Sequence, residues 1–152
     1  MSRLRIINPK ALYFSDRMRR ALDVIETYPI TVISAPLGFG KTTLLREYAR
    51  TSELHIVWLN IHSTDLDIFW DTLQISLFGA KEWQIPFPTD LHNCAQLLDQ
   101  IRSRLLLLGK TTLILDGFEK ICCDETKNFL LLLGEEFPEW IHIVIASRCG
   151  VW

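Results

Sequence analysis

The chain has 152 residues, 49% hydrophobic and 22% charged, with a formal net charge of -2. These are the length and composition of one ordinary globular domain, and the charge argues against a whole-chain basic surface of the kind that grips nucleic acid. The longest apolar runs, such as "FLLLL", are too short to cross a bilayer, and the N-terminal "MSRLRIINPK" lacks a signal-peptide core, so a cytoplasmic protein with no membrane partner is expected.

Apolar periodicity gives the elements in chain order. Ser15 can cap a first helix whose Met18, Ala21, Leu22 and Ile25 share one face, and Pro29 ends it. "ITVISA", Ile30 to Ala35, is β-branched and reads as a buried strand. Leu44, Leu45, Tyr48 and Ala49 then fit the inner face of a helix. "HIVWLNI", from His55, is a second strand. Leu66, Phe69, Trp70, Leu73 and Leu77 form a helical stripe, started by Ser63 or Thr64, with the aromatics in the core. "WQIPFPTD" is a loop. Leu91, Cys94, Leu98, Ile101, Leu105 and Leu108 space as a long helix capped by Thr89 or Asp90. "TTLILDG", Thr111 to Gly117, is a third strand. Asp124 opens a short helix carrying Phe129, Leu130, Leu132 and Leu133, and "IHIVIAS", Ile141 to Ser147, is a fourth strand.

Strands alternating with helices predict a parallel sheet covered on both faces. Uninterrupted apolar strands agree with that burial. Ligands on such sheets bind at the carboxyl ends of the strands. The cysteines, Cys94, Cys122, Cys123 and Cys149, form no C-x-x-C pair and read as reduced thiols. His55, His62, His92 and His142 have no ligand spacing.

"APLGFGKTTLL", Ala35 to Leu45, sits at one of those carboxyl ends. It is close to G-x-x-x-x-G-K-[ST], the phosphate-binding P-loop, with Ala35 in place of the first glycine. Glycines weaken strands and helices alike, so two of them here need a compensating role. Phosphate binding supplies one: the backbone N–H groups of Pro36's neighbours Leu37, Gly38, Phe39 and Gly40 can converge on an anion, and the next helix aims its positive end at it. Lys41 then reaches the β- and γ-phosphates, the Thr42 hydroxyl joins a Mg²⁺ shell, and Thr43 follows in the same cradle.

Two further blocks belong with it. "TLILDGFEK" ends a buried strand in Asp116, where a rigid carboxylate can organise Mg²⁺. Glu119 can orient an attacking water or be a plain solvated glutamate. "IVIASR" puts Ser147 and Arg148 at the same edge, where Arg148 can sense the γ-phosphate or remain a surface arginine.

"VISAPLGFGKTTLLREYA", "VWLNI...DLDIFWDTL", "LILDGFEKI" and "IHIVIASR" together resemble the STAND-type P-loop ATPases. The nearest resemblance is to the ATP-binding domain of MalT-like, LuxR-family bacterial transcriptional regulators. It implies a three-layer α/β/α sandwich with an ASCE-type P-loop NTPase core and strand order 5-1-4-3-2. It also implies ATP and Mg²⁺ as ligands, with Lys41 and Thr42 as the P-loop pair, Asp116 as the Walker B acid, Arg148 after the fourth strand, and Arg17 near the nucleotide base. Many relatives carry a second acid where this chain has Gly117, so hydrolysis is expected to be slow or absent unless Glu119 substitutes. The fifth strand would follow Arg148, so residues 1–152 read as one truncated domain, with 1–28 as a leading segment and helix. The strand Ile30 to Ala35 would then be an edge open to self-association. DNA binding would belong to a separate C-terminal domain, not to this chain.

Two other classes remain open. A small-molecule kinase would use Asp65 and Asp67 at its substrate site and need lid arginines, for which Arg102 and Arg104 are the candidates. An interaction module would keep the fold and have lost nucleotide.

Overall fold

A computed structural model of the protein describes residues 20, 23–34, 41–79 and 94–148. Its elements are β1 (Ile30–Ser34), α1 (Lys41–Thr51), β2 (His55–Asn60), α2 (Leu66–Phe78), α3 (Ala95–Leu108), β3 (Thr111–Asp116), α4 (Asp124–Glu136) and β4 (Ile141–Ser147). A single 3-10 turn, Phe118–Lys120, lies between β3 and α4. Residues 23–27 are helical ahead of β1.

The four strands form one parallel sheet in the order β1-β4-β3-β2. This matches the 1-4-3-2 part of the order implied by the resemblance. β1 therefore pairs with β4 alone among the described residues. The connection from β1 to β2 runs across the whole sheet in one direction, and the steps from β2 to β3 to β4 return in the other. Right-handed crossovers then place α1 on one face and α2 to α4 on the opposite face.

The core divides accordingly. Strand residues alternate between the faces. Ile33, Ile114, Val144 and Ala146 meet Leu44, Leu45 and Tyr48 of α1 and Ile25 before β1. Val32, Leu113, Leu115, Ile143 and Ile145 meet the helices of the other layer, including Phe69, Leu73, Ile101 and Leu130. Trp70 and Phe129 link α2 to α4 as an edge-to-face pair, with ring centroids 5.3 Å apart. No helix among the described residues is long and apolar enough to cross a membrane.

Several boundaries differ from the sequence reading. Asp65, not Ser63 or Thr64, caps α2: its carboxylate accepts the Asp67 N–H at 2.9 Å. The Ser63 hydroxyl is used one step earlier, accepting the Asp65 N–H at 3.1 Å. The helix α4 is 13 residues long rather than short. Its entry is fixed by Thr126, whose Oγ1 accepts the Cys123 N–H at 3.1 Å. The long helix α3 begins at Ala95, with Cys94 in the cap position. Leu91 and the expected caps Thr89 and Asp90 lie outside the described residues, as do Ser15, Met18, Ala21, Leu22 and Ala35. β3 ends at Asp116, because Gly117 turns away with φ +89°.

Candidate functional site

Because all four strands are parallel, their carboxyl ends share one edge. Each apolar run closes there on a polar residue: Ser34, Asn60, Asp116 and Ser147. The register sets Ser34 beside Ser147, and Asp116 between Ala146 and Asn60. The helices that follow β1 and β3 lie on opposite faces of the sheet, so the end of β4 is the switch point of the strand order. Open α/β sheets take ligands at such points.

In sequence, the glycine loop joins β1 to α1. Its residues Pro36, Leu37, Gly38, Phe39 and Gly40 lie outside the described residues, as does Arg17, while Lys41 and Thr42 are described by their backbone alone. That backbone opens α1, and Thr43 beside it is exposed. The first turn of α1 contains no acidic residue, so no carboxylate of its own occupies the positive end of the helix. An anion is the complementary partner there.

Asp116 stands two strands from β1, roughly 10 Å at ordinary strand spacing. It is half-buried, and among the described residues its carboxylate has no hydrogen-bond or ion-pair partner. A carboxylate at the end of a buried strand on the ligand edge fits a divalent cation held beside phosphates. Arg148 is exposed one residue beyond β4, on the same edge. Its N–H donates to Glu119 Oε1 at 2.8 Å. Glu119 Oε2 is buried and has no hydrogen-bond partner among the described residues. The structure thus brings Asp116, Glu119 and Arg148 to one edge of the sheet.

Gly117 explains the missing second acid. With φ +89° it occupies a conformation that L side chains rarely adopt, and a Cβ there would lie 2.7 Å from the Ile61 carbonyl oxygen. The turn that lets the chain leave β3 at this point admits no side chain without displacing Ile61.

Asn60 went unassigned in the sequence reading. It lies in register beside Asp116, and its Oδ1 accepts from Trp58 Nε1 at 3.1 Å. The signal was present: a polar residue closes the apolar run, as in the other three strands. A small cavity of about 40 Å³ beside it, lined by Asn60, His62, Ser63 and Thr72 among others, has room for a water but not for a nucleotide.

Of the residues that a kinase would need, Asp65, Arg102 and Arg104 are engaged in the scaffold. Asp65 caps α2. Arg104 Nε donates to the Leu77 carbonyl at 2.7 Å, and Arg102 pairs with Asp99 at 3.0 Å.

No protein-family model matches the sequence, and no curated protein does. Solved structures do resemble it. The chain is similar to one in the structure of Drosophila ORC bound to AT-rich DNA and Cdc6, with a TM-score of 0.59 and 13% identity over 91% of this chain and 48% of that one. It is similar to C. elegans PCH-2, with a TM-score of 0.50 and 17% identity over 94% of this chain and 39% of that one. It thus spans about half or less of the solved chains it matches. At these identities the likeness is one of fold alone: a parallel sheet with flanking helices.

Proposed function

We propose that the chain is an ATP-binding switch domain that takes ATP with Mg²⁺ at the carboxyl edge of its sheet. The observation that carries this reading is the strand–glycine loop–helix junction at Lys41, with Asp116 at the carboxyl end of β3 on the same edge of the sheet. Lys41 would contact the β- and γ-phosphates, within a cradle running from Pro36 through Thr43. Thr42 and Asp116 would hold the Mg²⁺. Arg148 would contact the γ-phosphate, and Arg17 the base. The metal would neutralise charge on the phosphates. With Gly117 in place of a second acid, hydrolysis is slow or absent. Residues 1–152 form one such domain, with 1–28 as its leading segment.

The four quoted sequence blocks support a cytoplasmic, LuxR/MalT-like bacterial regulator as the parent protein, with DNA contacted by another domain. Among the described residues β1 pairs with β4 alone, which supports self-association through its other edge, or on ATP binding.

Isothermal titration with ATP and Mg²⁺ tests the core of the reading. Saturable one-to-one binding is expected, and Lys41→Ala should remove most of it. A folded wild-type chain that gives no heat with either ATP or ADP sinks the proposal and leaves the interaction module standing. ADP formation dependent on a metabolite panel would favour the kinase.

A further inference from the structure

Parallel strands pair by a fixed rule: a residue donates its N–H to the residue before its partner and accepts from the residue after it. The β3–β4 ladder follows this rule from its first bond, in which the Thr111 N–H donates to the Trp140 carbonyl at 2.9 Å. It still holds at Gly117, whose N–H donates to the Ala146 carbonyl at 3.0 Å. The next bond would run from the Arg148 N–H to the Gly117 carbonyl. That bond is not made. Gly117 has turned to φ +89°, and its carbonyl accepts the Lys120 N–H at 3.1 Å. The Arg148 N–H donates to Glu119 Oε1 instead, at 2.8 Å.

A side-chain carboxylate therefore stands in for a strand carbonyl, at the point where the candidate phosphate-contacting arginine leaves the sheet. The bond is charge-assisted, and so stronger than the neutral bond it replaces. It comes with a cost, because Glu119 Oε2 is buried without a partner among the described residues. Oε1 is also committed to a main-chain amide, which argues against Glu119 as the group that orients an attacking water.

We propose that Glu119 is a positioning residue that ties the main chain of Arg148 to the turn after Asp116. The metal-binding carboxylate and the arginine then move as one unit when the nucleotide changes. This rests on the ATP-binding reading above. Glu119 acts on nucleotide only through Arg148.

Two measurements on the same variants test it. Amide hydrogen exchange at Arg148, followed without nucleotide, should speed up roughly tenfold or more in Glu119→Ala, the loss of about one charge-assisted bond. Glu119→Gln, which keeps an acceptor oxygen, should retain the protection. The ratio of ATP to ADP affinity, measured with fluorescent analogues and Mg²⁺, should fall in Glu119→Ala to the level of Arg148→Ala. The double variant should fall no further, and Glu119→Gln should keep the wild-type ratio. Unchanged exchange in Glu119→Ala overturns the clip. A Glu119→Gln ratio as low as that of Glu119→Ala, with exchange retained, overturns the positioning role in favour of a direct one. Both failures leave wild-type nucleotide binding intact. Failure of the ATP-binding reading itself appears as a wild-type chain that binds neither nucleotide, and it takes this proposal with it.

Discussion

Gly117 and Tyr48 are single residues whose local chemistry fixes an outcome that the sequence pattern alone leaves open. Asp after Asp116 would be the intuitive change toward a fuller acidic motif. The geometry argues the reverse: the left-handed backbone costs an L residue roughly 1–2 kcal/mol, and the new Cβ would meet the Ile61 carbonyl oxygen at 2.7 Å. Gly117→Asp should lower the melting temperature by about 4 °C or more, at roughly 2–4 °C per kcal/mol for a domain this size. A scan showing equal or higher stability would overturn that account of the turn. Tyr48 lies on the opposite face of the sheet, fully buried, with its hydroxyl 2.7 Å from Thr112 Oγ1. Burial pushes its phenol above the usual 10.0, with the Thr112 hydrogen bond pulling partly back. The unfolded chain ionises this group first as pH rises, so its share of stability is complete below about pH 10 and lost above it. Tyr48→Phe should cost about 1–3 kcal/mol near neutrality, since Thr112 is left without its partner. It should also flatten the alkaline fall in stability, which urea titrations at pH 8 and above can measure. At this scale the site was partly legible. Asp116 and Arg148 stood out as polar residues ending apolar runs. The Glu119–Arg148 bond did not, because it joins residues 29 apart and depends on the register of two strands.

Elements were most legible where burial dictated composition. The four strands emerged as apolar runs because helices cover them on both faces, and their observed limits fall within a residue of the expected ones. Helix starts were less legible, since Ser63, Thr64 and Asp65 offer competing side chains and only the geometry selects Asp65. The helix α4 is longer than the apolar residues Phe129 to Leu133 indicate, because it runs through Gly134 to Glu136. A Cβ at Gly134 would lie 3.5 Å from the Ile30 side chain and from Pro29 Cβ, which is ordinary contact. That glycine is therefore a weak point in a helix rather than a steric necessity. Gly134→Ala should stabilise the domain by roughly 0.5–1 kcal/mol through helix propensity, raising the melting temperature by about 1–4 °C. The opposite signs expected at Gly117 and Gly134 test whether backbone conformation, rather than glycine content, governs stability here. A drop at Gly134→Ala would mean that α4 packs against the start of β1 more tightly than these distances indicate.

For the whole molecule, the strand order decides how binding at one edge spreads. β1 and β3 both border β4, so the glycine loop, Asp116 and Arg148 all hang from three adjacent strands. A ligand gripping those three groups binds only the folded edge, and it stabilises the folded chain with the logarithm of its concentration over Kd. For a ligand that binds only the folded form, the gain is about 2.7 kcal/mol at a concentration of 100 times Kd. At roughly 2–4 °C per kcal/mol, this predicts a rise in melting temperature of about 5–11 °C with saturating ATP and Mg²⁺. Lys41→Ala should abolish the rise, and Asp116→Ala should remove the part that depends on Mg²⁺ while leaving a smaller shift with ATP alone. Hydrogen exchange should slow at the carboxyl ends of β1, β3 and β4, and change least at the amino end of β2, which among the described residues borders β3 alone and points away from the ligand edge. A thermal shift that survives Lys41→Ala, or protection centred on the amino ends of the strands, would place the nucleotide elsewhere on the molecule and dissociate the glycine loop from its binding.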